Sequence, residues 1–149
     1  MGIIELHVLV AAKAGNFKEL ARLLSEGPAA SWSRSTRAEA VHWTAYHGHR
    51  ECLGLLMAAG ADLDAKTELG LTAAIYAAMG GHANCLSMLI DAGCRLDIQD
   101  DSGWSAADWA RQRGKKDCLA LIDAELERRD VAESIGLASA IQGLGPARL

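Results

Sequence analysis

The segment Val41–Cys52, VHWTAYHGHREC, contains side chains that could bind a metal ion. His42, His47, His49 and Cys52 lie within this short stretch. Imidazole nitrogen and cysteine sulfur are the ligands that zinc prefers in proteins. However, His42 and His47 are five positions apart on a predicted helix, and this spacing places two ligands on one face less well than a spacing of four. A metal-binding protein is therefore the weakest of three interpretations, and we predict no metal or other cofactor.

Charge and the absence of catalytic motifs exclude several classes of function. The chain has 149 residues and a formal net charge of −4. A mildly acidic chain is a poor candidate for binding nucleic acid, and its apolar runs are too short to cross a bilayer. The sequence has no glycine-rich phosphate loop, no G-x-S-x-G and no H-E-x-x-H motif. We therefore predict a protein that is not an enzyme, does not bind nucleic acid and does not insert directly into a membrane.

The sequence repeats itself with a regular period of about 33 residues. Glycines at one position of the repeat follow each other at this interval: Gly15, Gly48, Gly81 and Gly114. A second column keeps the same period, with Gly27, Gly60, Gly93 and then Glu125 near the fourth position. Each copy predicts two short helices that end near these glycines. Helices of this length are unstable alone in water, so the copies must bury their apolar faces against each other in a stack.

The copy GADLDAKTELGLTAAIYAAMGGHANCLSMLIDAG resembles the ankyrin repeat, with its pattern G-x-T-P-L-H-x-A, G-H, L-L and G-A-D. The resemblance extends over about residues 4–130. It implies an all-α repeat solenoid of helix-turn-helix units with short β-hairpin or turn connections. We predict one domain over residues 1–135, with repeats at about 4–36, 37–69, 70–102 and 103–135. Residues 136–149 are predicted to form a C-terminal tail that caps the last repeat or remains loose. The first copy lacks G-A-D, so its hairpin departs from the pattern.

The resemblance gives structural roles to the histidines and cysteines. His42 matches the histidine of T-P-L-H, while His49 and His82 match G-H, and such side chains hydrogen-bond local backbone in ankyrin repeats. Three cysteines recur with the period of the repeat at an apolar position of the second helix: Cys52, Cys85 and Cys118. Stacked helices lie about 8–10 Å apart, which is too far for a disulfide. We therefore expect free thiols and a reducing intracellular compartment, the cytoplasm or alternatively the nucleus.

Aromatic residues provide the strongest indication of a binding surface. Trp43, Tyr76 and Trp109 share the position that follows T-P-L-H, which the resemblance places on the concave side of the stack. Tyrosine and tryptophan are enriched at protein–protein hot spots. We predict a partner-binding surface formed by Trp32, Trp43, Tyr46, His47, Leu69, Leu71, Tyr76, Met79, Trp104, Trp109, Gln112 and Arg113. The alternative that these rings only fill space between repeats stays open, above all for Trp32.

The resulting functional prediction is a non-catalytic protein–protein interaction module. It would act as an adaptor, a scaffold or a structural subunit that binds a partner protein through its concave aromatic face and hairpin tips. The alternative is a regulatory inhibitor subunit of an enzyme, because small chains of this kind resemble ankyrin proteins that inhibit protein kinases. The chain would be a monomer or one subunit of a complex with other proteins.

Overall fold

The computed structural model describes residues 3–26 and 32–144, with side chains to residue 135. Within these ranges the chain contains eight helices and no strand. The first helices of the four repeats are α1 (Ile3–Ala14), α3 (Arg34–His47), α5 (Ala73–Gly80) and α7 (Ala106–Gln112). The second helices are α2 (Phe17–Glu26), α4 (Arg50–Ala58), α6 (Ala83–Asp91) and α8 (Lys116–Leu144).

The helices pack as a linear stack of helix pairs. Each first helix packs against the second helix of its own repeat and against the first helices of adjacent repeats. The second helices form a parallel layer in the same order. One apolar column occupies the same position in all four repeats and is at most 1 % exposed: Leu23, Leu56, Leu89 and Ile122. The predicted all-α repeat solenoid is therefore confirmed.

Glycines end the first helices and also allow adjacent repeats to approach closely. Gly48 has φ 74° and Gly81 has φ 73°, in the left-handed region that favours glycine. A Cβ atom on Gly48 would lie 2.5 Å from Nδ1 of His82, a residue of the next repeat. The same relation holds between Gly15 and His49. The repeated glycine is therefore required by the turn and by the ring that packs over it.

The connections between later repeats are tight turns. The backbone N–H of Thr67 donates to the carbonyl of Leu71 at 2.9 Å, and Asp100 donates to Trp104 in the same way at 2.8 Å. These are hairpin-type bonds, but they are too few to form a strand in any part of the chain that the structure describes. The short hairpins implied by the resemblance are thus reduced to turns.

The second repeat begins with additional helix. Alignment to Ala73 by the repeat period would start α3 at residue 40, but α3 starts six residues earlier, at Arg34. The Ser33 hydroxyl accepts the backbone N–H of Thr36 and caps this extension. The Glu5 carboxylate accepts the Ser33 N–H at 2.8 Å and the Thr36 hydroxyl at 2.9 Å. These bonds lower the pKa of Glu5 and tie the extension to the first repeat.

The last helix, α8, continues past the position at which α2, α4 and α6 have ended. Leu126 occupies the position of the terminal glycines, and the adjacent Glu125 accepts hydrogen bonds from Arg128 and Arg129. These two guanidinium groups lower the pKa of Glu125 to about 2. Arg129 also donates to the carbonyl of Cys94 at 2.9 Å, which fastens α8 to the preceding repeat. A leucine therefore replaces the glycine of the other copies, and the ion pairs of Glu125 lie within the helix that continues past this position.

The start of the C-terminal region does not fold back over the stack. Val131 and Ile135 are 57 % and 61 % exposed, so these two side chains do not cover the last repeat. In the predicted tail, the backbone is helical to Leu144. Its side chains and residues 145–149 lie outside the described part of the chain.

Candidate protein-binding groove

An open groove with a volume of about 1170 Å³ lies between α3 and the α4–α5 turn, residues 59–72. Its lining combines apolar with charged groups. The apolar and aromatic lining consists of Ala38, Trp43, Tyr46, Ala65, Leu69 and Tyr76. The charged lining consists of Arg34, Glu39, Asp62, Lys66 and Glu68, and Ser35, His42 and Thr67 complete it. The longer α3 contributes Arg34, Ser35, Ala38 and Glu39, which a helix beginning at residue 40 would not have placed there.

A buried histidine fixes the distance between the two walls of the groove. Nε2 of His42, a residue only 8 % exposed, lies 3.0 Å from the carbonyl oxygen of Ala65. A carbonyl can only accept, so Nε2 carries the proton and donates it. Burial lowers the pKa of His42 and favours the neutral ring. The prediction that His42 bonds backbone is confirmed.

The histidines of the G-H position connect adjacent repeats. Nε2 of His49 donates to the carbonyl of Lys13 at 3.0 Å, which confirms its predicted role. The His82 ring packs over the glycine of the preceding repeat. Among residues 3–26 and 32–135, no three side chains of His, Cys, Asp or Glu converge to hold a metal ion.

Tyr46 and Tyr76 form the aromatic centre of the groove. Their rings meet edge to face with centroids 5.8 Å apart. Tyr76 also contacts His42, with centroids 5.3 Å apart. Tyr46 is 37 % exposed, and Leu69 on the facing turn is 65 % exposed. The groove thus presents accessible apolar surface on both of its walls.

Trp43 is half-buried, and its ring already has neighbours. The His47 ring stacks on it with centroids 5.4 Å apart and planes inclined by 9°. The Lys13 ammonium lies 4.5 Å from the Trp43 ring centroid, a cation–π contact with the preceding repeat. Burial, and then the positive charges of His49 and Lys13, lower the pKa of His47. A partner would therefore reach only part of the Trp43 ring.

The aromatic residues of the fourth repeat form a separate cluster. Trp104 and Trp109 have ring centroids 4.9 Å apart. Nε1 of Trp109 donates to the Asp100 carboxylate at 2.7 Å, and the Arg113 guanidinium lies 5.6 Å from the Trp109 ring. No aromatic pair among the described side chains joins this cluster to Tyr76. The predicted row of aromatics is therefore divided into two clusters.

Two predicted surface residues belong to the core. Trp32 is 4 % exposed and Leu71 is 9 % exposed, which corrects their assignment to the binding surface. Both lie at the entrance to a first helix, where their side chains fill space between repeats. Met79 is partly buried against the same core, whereas Gln112 is exposed outside the groove.

Sequence reasoning missed the charged lining and Ala38. Arg34, Lys66 and Glu68 occupy positions whose residue type changes from repeat to repeat, so the period gives no signal for them. Their location beside a predicted aromatic column is the signal that could have found them.

All four cysteines are buried and free, as predicted for Cys52, Cys85 and Cys118. Burial raises the pKa of Cys85 to about 11 and that of Cys94 to about 12. Such thiols remain protonated near neutral pH and make poor nucleophiles.

None of the helices within residues 3–26 and 32–144 is both long enough and apolar enough to cross a membrane.

Sequence comparisons agree with the architecture. A comparison with curated proteins finds no match. The family model for ankyrin repeats matches residues 6–100 and 41–130 and describes three copies. These ranges contain the repeated glycines, the stacked helix pairs and the groove, and they extend over most of the chain. The chain therefore belongs to the ankyrin repeat family.

Proposed function

We propose that this protein is a non-catalytic module that binds a segment of a partner protein in the groove between α3 and the α4–α5 turn. Ankyrin repeats generally mediate protein–protein interactions. The observation that carries the proposal is the open groove itself, with Tyr46, Leu69 and Tyr76 on its walls. We infer a role as an adaptor, a scaffold or a structural subunit of a larger complex, because such roles require binding but no catalysis.

Accessible apolar groups provide the driving force for binding. Leu69 is 65 % exposed and Tyr46 is 37 % exposed on opposite walls. Full burial of a leucine-sized side chain contributes about 1.5–3 kcal/mol. A partner side chain inserted between the walls would remove both residues from water at once. The groove therefore favours a segment that carries an aliphatic or aromatic anchor.

Charges around the groove provide selectivity. Arg34, Lys66 and Glu68 are exposed, and none of them forms an ion pair with another described residue. Exposed pairs add little affinity, but they fix the register of a partner and reject partners of the wrong charge. A segment with both acidic and basic residues beside its apolar anchor matches this lining.

The groove is preorganised. The Ser33 cap and Gly48 hold the ends of α3, and the bond from His42 to Ala65 holds the turn against the helix. The bond from Thr67 to Leu71 closes the turn itself. Because the walls are ordered before binding, little conformational entropy of this chain opposes association.

Affinity capture from native extract with a matched pair of variants tests the proposal. Tyr46→Ala combined with Leu69→Asp removes the apolar groups of both walls. Val131→Asp changes a residue of similar exposure, 57 %, on α8 and outside the groove. We expect wild type and Val131→Asp to capture the same proteins, and recovery to fall at least about tenfold with the groove variant. Unchanged recovery by a groove variant with a wild-type circular dichroism spectrum would refute the proposal.

The captured partner then separates two roles. Titration of the purified protein into an activity assay of an enzymatic partner distinguishes a regulatory inhibitor from an adaptor. An adaptor leaves the turnover of its partner unchanged at saturation, whereas an inhibitor lowers it.

We further propose a reducing intracellular location, the cytoplasm being the simplest. Four buried free thiols in a chain of 149 residues support it, because such thiols persist where glutathione and thioredoxin keep cysteines reduced. Fractionation followed by detection of the tagged protein tests this location.

A further inference from the structure

The turns inside the four repeats form one row along an edge of the stack. Each of them connects the first helix of a repeat to the second helix of the same repeat. A side chain from each later turn packs over the glycine of the turn before it: His49 over Gly15, His82 over Gly48 and Lys115 over Gly81. These contacts join the turns into one continuous surface. We call residues 13–18, 47–51, 80–84 and 113–117 the turn row.

Basic side chains predominate in the turn row. Five of them are exposed and form no ion pair with another described residue: Lys13, Lys18, Arg50, Arg113 and Lys116. Lys115 adds a further ammonium group, and His47, His49 and His82 add positive charge when they are protonated. The acidic side chains of the row are Glu51 and Asp117. The turn row is therefore a basic surface on a chain whose formal net charge is −4.

Negative charge is concentrated on the other set of turns, which connect one repeat to the next. Residues 59–72 and 92–105 contain two basic side chains, Lys66 and Arg95, and a larger set of acidic ones: Asp62, Asp64, Glu68, Asp97, Asp100 and Asp101. Because α5 and α7 each begin after one kind of turn and end at the other, the two kinds of turn lie at opposite ends of these helices. An acidic partner can therefore approach the turn row without meeting this second set of carboxylates.

His47 lies in a positive environment within the turn row. Its ring centroid is 5.8 Å from that of His49, and the Lys13 ammonium lies against Trp43, on which the His47 ring stacks. Burial comes first among the causes that lower the pKa of His47, and the positive charges of His49, Lys13 and His82 follow. These cations repel each other, and an anion placed on the row would relieve the repulsion.

A pocket of about 280 Å³ opens in the turn row between the third and fourth repeats. Its lining consists of Gly81, Gly114, Lys115, Lys116, Asp117 and Cys118. The two lysines attract negative charge, and the two glycines have no side chain that would fill the space. The pocket can therefore accept an acidic side chain of a partner.

We propose that the turn row binds an acidic segment of another protein, with consecutive aspartate or glutamate residues lying across the four turns. Exposed ion pairs contribute little singly, so affinity requires several pairs at once. Adjacent repeats are spaced by about 8–10 Å, so the row is about 25–30 Å long and matches about eight to ten residues of an extended chain.

A protein segment matches the turn row better than a nucleic acid does. Domains that bind nucleic acid ordinarily carry a basic net charge, whereas this chain has a net charge of −4 and an acidic set of turns at the other end of its helices. No residue of the turn row lines the groove between α3 and the α4–α5 turn. This proposal and the groove proposal are therefore independent.

Fluorescence anisotropy with a labelled decaglutamate peptide at about 50 mM salt tests the proposal under weak screening. Arg50→Glu combined with Lys116→Glu reverses the charge at the first residues of α4 and α8. Arg34→Glu combined with Lys66→Glu is the matched control, because it changes the net charge equally and Arg34 is also the first residue of a helix. All four side chains are exposed, and none forms an ion pair with another described residue. Glutamate at the first position of a helix suits its dipole, so the fold is retained.

We expect wild type to bind the peptide, the control to bind within about threefold of wild type, and the turn-row variant to bind at least about tenfold more weakly. A pentaglutamate peptide should also lose at least about tenfold in affinity for wild type, because it reaches only part of the row.

The other outcomes overturn the proposal. A wild type that does not bind decaglutamate has no site for an acidic segment. Equal losses in the two double variants would show that net charge, rather than the turn row, attracts the peptide. Equal affinity for the two peptides would contradict a segment that lies across all four turns. A single-stranded RNA decamer that binds wild type more tightly than decaglutamate, and loses this affinity in the turn-row variant, would identify nucleic acid as the partner instead.

Discussion

Replacing Gly48 with alanine should destabilise the protein more than the same change at Gly60, although both residues have left-handed backbone. Gly48 has φ 74° and Gly60 has φ 83°. A non-glycine residue in this conformation costs about 1–2 kcal/mol at either position. The two positions differ in what surrounds a new Cβ atom. At Gly60 nothing lies within 4 Å, whereas at Gly48 the Cβ would lie 2.5 Å from Nδ1 and 2.8 Å from Cγ of His82.

The additional cost at Gly48 comes from displacing the His82 ring. Cγ is attached directly to Cβ of His82, so the ring cannot move away without shifting the whole side chain. Forcing one extra carbon into a closely packed contact costs about 1–3 kcal/mol. We therefore expect about 1–2 kcal/mol of destabilisation for Gly60→Ala and about 2–5 kcal/mol for Gly48→Ala. A stability of about 5–15 kcal/mol is typical of folded proteins, so both variants should be measurable.

Urea denaturation of a double-mutant cycle provides the assay. The cycle compares wild type, Gly48→Ala, His82→Ala and the double variant, with Gly60→Ala as the matched control. Removing the His82 ring should abolish the additional destabilisation at Gly48, so that Gly48→Ala in the His82→Ala background costs about as much as Gly60→Ala. Equal costs at Gly48 and Gly60 in the wild-type background would refute the inference that adjacent repeats touch at this glycine. An additional cost of Gly48→Ala that persists in the His82→Ala background would also refute this inference.

Three further predictions concern ionisable groups. Burial raises the pKa of Cys85 from 9.0 to about 11, so the thiolate fraction of this residue is about 100-fold smaller. The native Cys85 thiol should therefore react with a disulfide reagent far more slowly than the same thiol in urea. Equal rates in the two conditions would contradict the burial of Cys85. Because burial lowers the pKa of His42, its stabilising effect is complete above the unfolded pKa of about 6.5 and is lost as pH falls below it. The unfolding free energy of wild type should therefore decrease more steeply than that of His42→Gln on acidification from about pH 7 to 5, by up to about 1.4 kcal/mol per pH unit, and parallel profiles would exclude this origin. The pKa of Glu125 is about 2 against 4.5 ordinarily, so the stability that its arginine pairs contribute is lost as pH falls from about 4.5 to 2. In this range the thermal stability of Glu125→Gln should therefore depend less on pH than that of wild type. Identical pH profiles would show that the arginine pairs contribute nothing.

The sequence predicted the repeat unit because the signals for it are local or periodic. Evenly spaced glycines mark helix ends, and φ 74° at Gly48 shows why only glycine is suited there. The apolar column that contains Leu56 and Leu89 follows from helical spacing alone. The backbone bonds of His42 and His49 followed from the family pattern, because each histidine occupies a defined position of the repeat.

The lengths of two helices departed from the period. Glu5 captures Ser33 and Thr36 from a distant part of the chain, and this contact accompanies the early start of α3. Leu126 lies where other repeats have glycine, the adjacent Glu125 pairs with Arg128 and Arg129, and α8 continues. Both effects depend on particular side chains rather than on spacing. The absence of glycine from this position of the fourth repeat was visible in the sequence, but the helix that follows was not predicted to be continuous.

By itself, the sequence determined the fold and the column to which each aromatic residue belongs. Only the tertiary structure decided which of these residues a partner could reach. Trp32 and Leu71 are buried, Trp43 is in contact with Lys13 and His47, and Tyr46 remains exposed opposite Leu69. The physical reason is that spacing along a helix fixes the direction of a side chain, whereas its exposure depends on the residues that the neighbouring repeat places against it.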